Sequence, residues 1–140
     1  MKAVTVIARL LLGFAFVFFG LNGFLHFLKM PPPPPGHAGE FSTALYASGF
    51  LNVVMACQLV GGLLVLTGVF TPLGLLILGP VIANILLFHI FLDPKGLPMA
   101  IIVSVLGLFL LGRYWPAFQS VFKPYRPVET KPVSPPPSTQ

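Results

Sequence analysis

Four apolar runs, each long enough to cross a bilayer, dominate this 140-residue chain and limit what it can fold into. A hydrocarbon core of about 30 Å is crossed by about 20 helical residues. The first run extends from Val4 to Leu28, broken only by Arg9, Asn22 and His26. The second, Gly49 to Val69, contains Asn52 and Gln58 as its strongly polar residues. The third, Leu73 to Leu92, contains Asn84 and His89, and the fourth, from Leu97, continues through Tyr114 and Trp115. Spans over 4–28, 49–69, 73–92 and 97–115 leave no room for a separate soluble domain. Composition agrees: 8% of residues are charged, against roughly a quarter in a soluble domain. The net charge of +5 makes no nucleic-acid surface, because the basic residues lie between and beyond the apolar runs and form no stripe.

The expected fold is all-α: an antiparallel four-helix transmembrane bundle with short hairpins, one longer outer loop and a disordered tail. Thr71-Pro72 joins the second and third spans, and Asp93-Pro94-Lys95-Gly96 joins the third and fourth. The first connection is longer. Five prolines, Pro31 to Pro35, make a polyproline rod of roughly 15 Å. Phe41, Leu45 and Tyr46 follow at helical spacing and predict a short helix lying at the membrane surface. Residues 1–122 form the membrane domain. The tail, 123–140, holds six prolines and cannot build a core. The apolar stretch Leu10 to Leu21 has signal-peptide character, but apolar residues continue to Leu28 without a small-residue cleavage site, so it reads as a retained span. The lone Cys57 excludes an intramolecular disulfide and dithiol chemistry.

Orientation follows from basic residues. Lys2, Arg9, Arg113, Lys123, Arg126 and Lys131 share one side, with Lys29 and Lys95 on the other. That bias places both termini in the cytoplasm. Arg9 and Arg113 then sit at the cytoplasmic boundary and reach toward headgroups.

The polar side chains within the spans are unevenly layered. At 1.5 Å per residue, Asn22 lies about 9 Å and His26 about 3 Å below the outer surface. Asn52, Gln58, Asn84 and His89 lie at about 4–5, 13, 12 and 4–5 Å. The stretches Leu10–Leu21, Leu59–Leu66, Leu73–Ala83 and Val105–Gly112 carry no strongly polar side chain. An unpaired amide or imidazole in hydrocarbon is costly, so these groups face the bundle interior. Asn22 and His26 are four apart on one helical face, and the Asp93 carboxylate, four beyond His89, is placed to accept a hydrogen bond from an imidazole N–H and fix its tautomer. Asn84 sits about 140° around an ideal helix from His89. Gly13, Gly20, Gly61 and Gly68 suit close helix packing, and Met30, Met55 and Met99 read as packing or loop residues.

Two readings follow. In one, the polar groups are interhelical glue. In the other, Asn22, His26, Asn52, Gln58, Asn84, His89 and Asp93 line an outward-opening pocket for a small ligand. A quinone is chemically apt, since its carbonyls need donors such as His89, His26 or Asn22 while its tail lies in apolar surroundings. Haem held by His26 and His89 rests on two histidines alone. A metal asks for three or four ligands, and His26, His89 and Asp93 show no diagnostic spacing, so no metal is assigned.

Three stretches carry a family resemblance. Arg9-Leu10-Leu11-Leu12-Gly13 leading into Gly20-Leu21-Asn22-Gly23-Phe24 is similar to the first span of the DoxX family of small membrane proteins. Gln58-Leu59-Val60-Gly61-Gly62-Leu63-Leu64 through Gly68 resembles its second span, and Asn84 to Pro98 the third span and turn of a DoxX-like subgroup. The resemblance covers about residues 4–122. It implies a bacterial inner-membrane protein. Relatives include the membrane subunit of a thiosulfate:quinone oxidoreductase, and others are linked to oxidative-stress complexes with soluble redox proteins. Members often carry an acid where this chain has Gln58, and an amide cannot titrate. The expected function is an accessory or quinone-interacting membrane subunit supporting a redox process. The alternative is a non-catalytic scaffold or a small-molecule permease-like protein. No catalytic residue is assigned.

Overall fold

A computed structural model describes residues 1–29 and 31–123. Met30 and most of the proline-rich tail, expected to be disordered, lie outside the described residues. Six helices follow in order: α1 (Lys2–Leu25), α2 (His37–Ala47), α3 (Phe50–Thr67), α4 (Thr71–Phe91), α5 (Leu97–Arg113) and α6 (Trp115–Phe118). A 3-10 turn, Pro94–Gly96, joins α4 to α5, and the described residues contain no strand. Proline sits in the first turn of α4, α5 and α6, where its missing N–H has no intrahelical partner to lose. Pro80 stands inside α4 without ending it.

Four of these segments, α1, α3, α4 and the stretch Pro94–Arg113 containing α5, are long and apolar enough to cross a membrane. At most 28% of any span's most apolar stretch is buried within the protein. Much of the rest, including Phe14, Val53, Leu76 and Leu108, is exposed. So much outward apolar surface is tolerable only in hydrocarbon. The protein is a multi-pass membrane protein. Its helices form a ring in which α1 packs on α3, α3 on α4, α4 on α5, and α5 returns to α1. Leu12, Val65, Leu78 and Leu110 fill its axis and are fully buried.

Lipid tails are as apolar as leucine, so close packing has to hold such helices together. The α1–α3 contact is built on glycine. A Cβ at Gly13 would stand 2.7 Å from the Leu66 backbone, and one at Gly62 2.9 Å from Val17 N. Gly68 has another task from packing: it ends α3 in the left-handed region, φ 80°, and starts the hairpin into α4.

The ends of the runs differ from their apolar limits. The first run stays apolar to Leu28, yet α1 stops at Leu25. His26 adopts a left-handed conformation, φ 51°, and its N–H donates to Asn22 O at 2.8 Å. The Asn22 side chain accepts from the Leu28 N–H at 2.7 Å. A polar residue near the end of the run therefore terminates the helix.

Gly62→Val should push α1 from α3 and cost about 1–3 kcal/mol, the usual range for overpacking, read by SDS-titrated unfolding. Gly79, whose Cβ would meet nothing within 4 Å, should accept alanine without loss. Equal destabilisation by both changes would contradict the glycine-seated interface.

Candidate functional site

The ends of the bundle differ in polarity. The end bearing α2 brings together the C-terminus of α1, the N-terminus of α3 and the C-terminus of α4. Helix α2 lies against α3. Its Phe41, Ser42 and Leu45 roof a cleft of about 180 Å³ between α3 and α4. Phe41 also meets Phe88 of α4, with ring centroids 5.7 Å apart. Tyr46 is on the other side of α2 and 70% exposed.

Three of the seven candidate residues line this cleft: Gln58, Asn84 and His89. Gln58 is 8% exposed. Neither its carboxamide nor that of Asn84 hydrogen-bonds within the described residues. The apolar walls include Val54, Ile85 and Phe88. Two amides and an imidazole in an apolar cleft can hold a small polar head through donors and acceptors.

His89 is held firmly. Its Nδ1 is 2.9 Å from the backbone oxygen of Asp93. A carbonyl only accepts, so Nδ1 carries the proton and donates, leaving Nε2 of the neutral ring as an acceptor. The expected carboxylate contact is looser: Asp93 Oδ2 stands 3.9 Å from Nδ1. The 3-10 turn after α4 brings the Asp93 carbonyl back to the ring before the carboxylate can reach it. On its other side the imidazole rests against Gly96, where a Cβ would collide with the ring. Sequence spacing pointed to Asp93 and gave no sign of Gly96. The only cue to Gly96 was a glycine in a short turn.

The other candidates lie apart. Asn22 is buried and caps the end of α1 as described. His26 is exposed, and its Nδ1 donates to Phe24 O at 3.1 Å. Its ring leaves the helical face it was expected to share with Asn22, because α1 ends between the two. Asn52 is exposed in the first turn of α3. No group of three or more potential metal-ligating residues occurs among the described residues.

A larger cavity, about 320 Å³, opens between α4 and α5 and is lined by Gly79, Ile82, Ala83, Ser104 and Gly107, among others. Its one hydroxyl, on Ser104, already donates to Ala100 O at 2.8 Å. The other residues of its lining are apolar, whereas the smaller cleft is lined by two amides and an imidazole.

The fold and cleft define a small helical multi-pass membrane bundle with a polar recess at one end. The chain belongs to the DoxX family, whose model, described as DoxX, matches residues 4–90. That match takes in α1 to α3 and nearly all of α4, and ends before the Asp93–Pro98 turn. No curated protein and no solved structure matches the chain.

In ¹⁵N-histidine-labelled protein, the ring signal that disappears in His89→Ala should be that of an Nδ1–H tautomer. Asp93→Asn should leave that signature in place, since the backbone carbonyl is the acceptor, whereas Gly96→Ala should shift it. A tautomer that follows the Asp93 carboxylate would overturn the assignment.

Proposed function

We propose that the protein is a membrane subunit of a redox process that holds a quinone head in the cleft beneath α2. One observation carries the reading: Gln58 is nine-tenths buried in an apolar cleft, and neither its amide nor that of Asn84 has a protein hydrogen bond among the described residues. Asn84 is exposed, but a residue as buried as Gln58 is costly to leave without a partner, and a bound carbonyl or hydroxyl removes that cost. The donors expected at Asn22 and His26 are replaced by Gln58 and Asn84.

The cleft's size selects the ligand. Pockets for drug-sized molecules run about 300–1,000 Å³, so about 180 Å³ suits a single ring. The remainder of such a molecule would lie along apolar helix faces. Gln58 and Asn84 donate to a quinone oxygen. The bare Nε2 of His89 accepts from a quinol hydroxyl, taking its proton as the quinol is oxidised. Two electrons leave with two protons in that step: a soluble redox protein is the proposed electron acceptor, one proton goes to Nε2 of His89, and the other goes to solvent water at the membrane surface. The reverse exchange reduces the quinone. Asp93 and Gly96 position His89 and do not touch the ligand.

The excess of Lys and Arg at the opposite end supports an inner-membrane orientation with both termini cytoplasmic and the cleft opening outward. A permease reading finds less support, because fully buried Leu12, Val65, Leu78 and Leu110 fill the axis. A scaffold reading draws on Asn22 and His26, both engaged in ending α1.

Organic extraction of protein purified with its lipids should yield quinone near one per chain. His89→Ala and Gln58→Leu should each weaken binding of a short-chain quinone roughly 5- to 150-fold, equivalent to about 1–3 kcal/mol for a lost hydrogen bond. Asn52→Ala should leave it unchanged. Finding no extracted quinone and no binding of the analogue moves the protein to the scaffold reading.

A further inference from the structure

The end of the bundle opposite the cleft carries cations without counter-charge. Lys2, Arg9 and Arg113 lie there. The carboxylates of the described residues are Glu40 and Asp93, both at the α2 end, 2.9 Å from His37 Nδ1 and 3.9 Å from His89 Nδ1. No ion pair forms around either arginine among the described residues.

Both arginines are tied to the first turns of α1, Arg9 by its place in that helix and Arg113 by a hydrogen bond to it. Arg113 Nε donates to Thr5 Oγ1 at 3.2 Å, fastening the end of α5 to the start of α1. Arg9 stands one helical turn beyond Thr5, with Cβ atoms about 5–6 Å apart. The Arg9 guanidinium lies across Gly68, where a Cβ would collide with it. Arg9 Nε is buried and makes no hydrogen bond, so the outward nitrogens are the ones left to meet a ligand. Nearby aromatic residues mark the headgroup level: Trp115 stacks on Phe122 with centroids 5.4 Å apart.

A guanidinium keeps its charge in a protein, and its planar fork matches a phosphate with two parallel hydrogen bonds. No carboxylate of the described residues lies at this end, so the matching anion is sought outside them. We infer that Arg9 and Arg113 form a binding site for the phosphate of an anionic phospholipid. Lipid is the source favoured here because the strip is flanked by outward apolar residues, Val4 and Ile7 on α1 and Leu108 on α5, along which acyl chains can lie. The site is independent of the quinone cleft.

The test uses the full chain in a zwitterionic detergent with equal phosphatidylglycerol and phosphatidylcholine, bound lipid being counted by native mass spectrometry. Phosphatidylglycerol adducts should exceed phosphatidylcholine adducts about tenfold, a difference typical of charge-assisted recognition. Arg9→Gln and Arg113→Gln should each lower them about fivefold or more, Arg9→Lys should retain part of the signal, and Lys95→Gln at the other end should match wild type. Arg113 is exposed, so its variant carries the test if Arg9→Gln fails to fold. Equal adducts of the two lipids, or glutamine variants that bind like wild type, overturn the site. Displacement of the lipid by millimolar inorganic phosphate overturns the lipid source and assigns the pair to a free anion.

Discussion

Inside hydrocarbon a hydrogen-bonding group finds a partner in the protein or forfeits several kcal/mol, because no water competes for it. Most polar side chains in these spans meet that demand within their own helix or at its end. Ser104 donates to the carbonyl one turn back at 2.8 Å, and Thr67 donates to Leu63 O at 2.9 Å. Asn22 receives the Leu28 N–H, and His89 donates to the Asp93 carbonyl. These local bonds draw the helices no closer together. Cohesion therefore falls to contact between backbones, which explains why Gly13 and Gly62 sit where α1 crosses α3. Gln58 and Asn84 stand outside this pattern. They neither bond locally nor reach across to another helix within the described residues.

The bundle itself was legible because a membrane span is specified by length and apolarity alone, and all four runs meet both conditions. Even α2 could be read, from the spacing of Phe41 and Leu45. The site was harder to read because it depends on where α2 lands. Asn84 and His89 lie far apart around an ideal α4, yet both border the cleft, since the space beneath Phe41 and Leu45 spreads over α4 from one side to the other. Asn22 and His26 erred in the opposite direction. Their four-residue spacing implies a common face only while the helix continues, and α1 ends between them. Depth estimates carry no information about a side chain's azimuth. They correctly gathered the polar groups toward one end, but could not divide cleft residues from capping ones.

Charge is divided between the ends as well. Among the described residues, carboxylates and imidazoles occupy the α2 end, while guanidinium groups without acidic partners occupy the hairpin end. A bundle with 8 basic and 3 acidic residues in its whole sequence cannot neutralise its cations internally. The membrane has to complete the structure at that end, as hydrocarbon completes it around the middle.

The amide at position 58 sharpens the reading of the cleft. A carboxylate there, 8% exposed among Val54, Ile85 and Phe88, would pay a large desolvation cost or stay protonated. An amide donates and accepts without changing charge, so it orients a ligand but cannot carry a proton. Any proton moved in the cleft then passes through the imidazole of His89, the one ionisable group of the three. That ring is also the one fixed on both sides, by the Asp93 carbonyl and by the space Gly96 leaves open. Positioning and proton exchange thus fall to different side chains in the proposed site: Gln58 on α3 and Asn84 on α4 are neutral anchors, and the end of α4 adds a ring whose free nitrogen is defined by the turn that follows it.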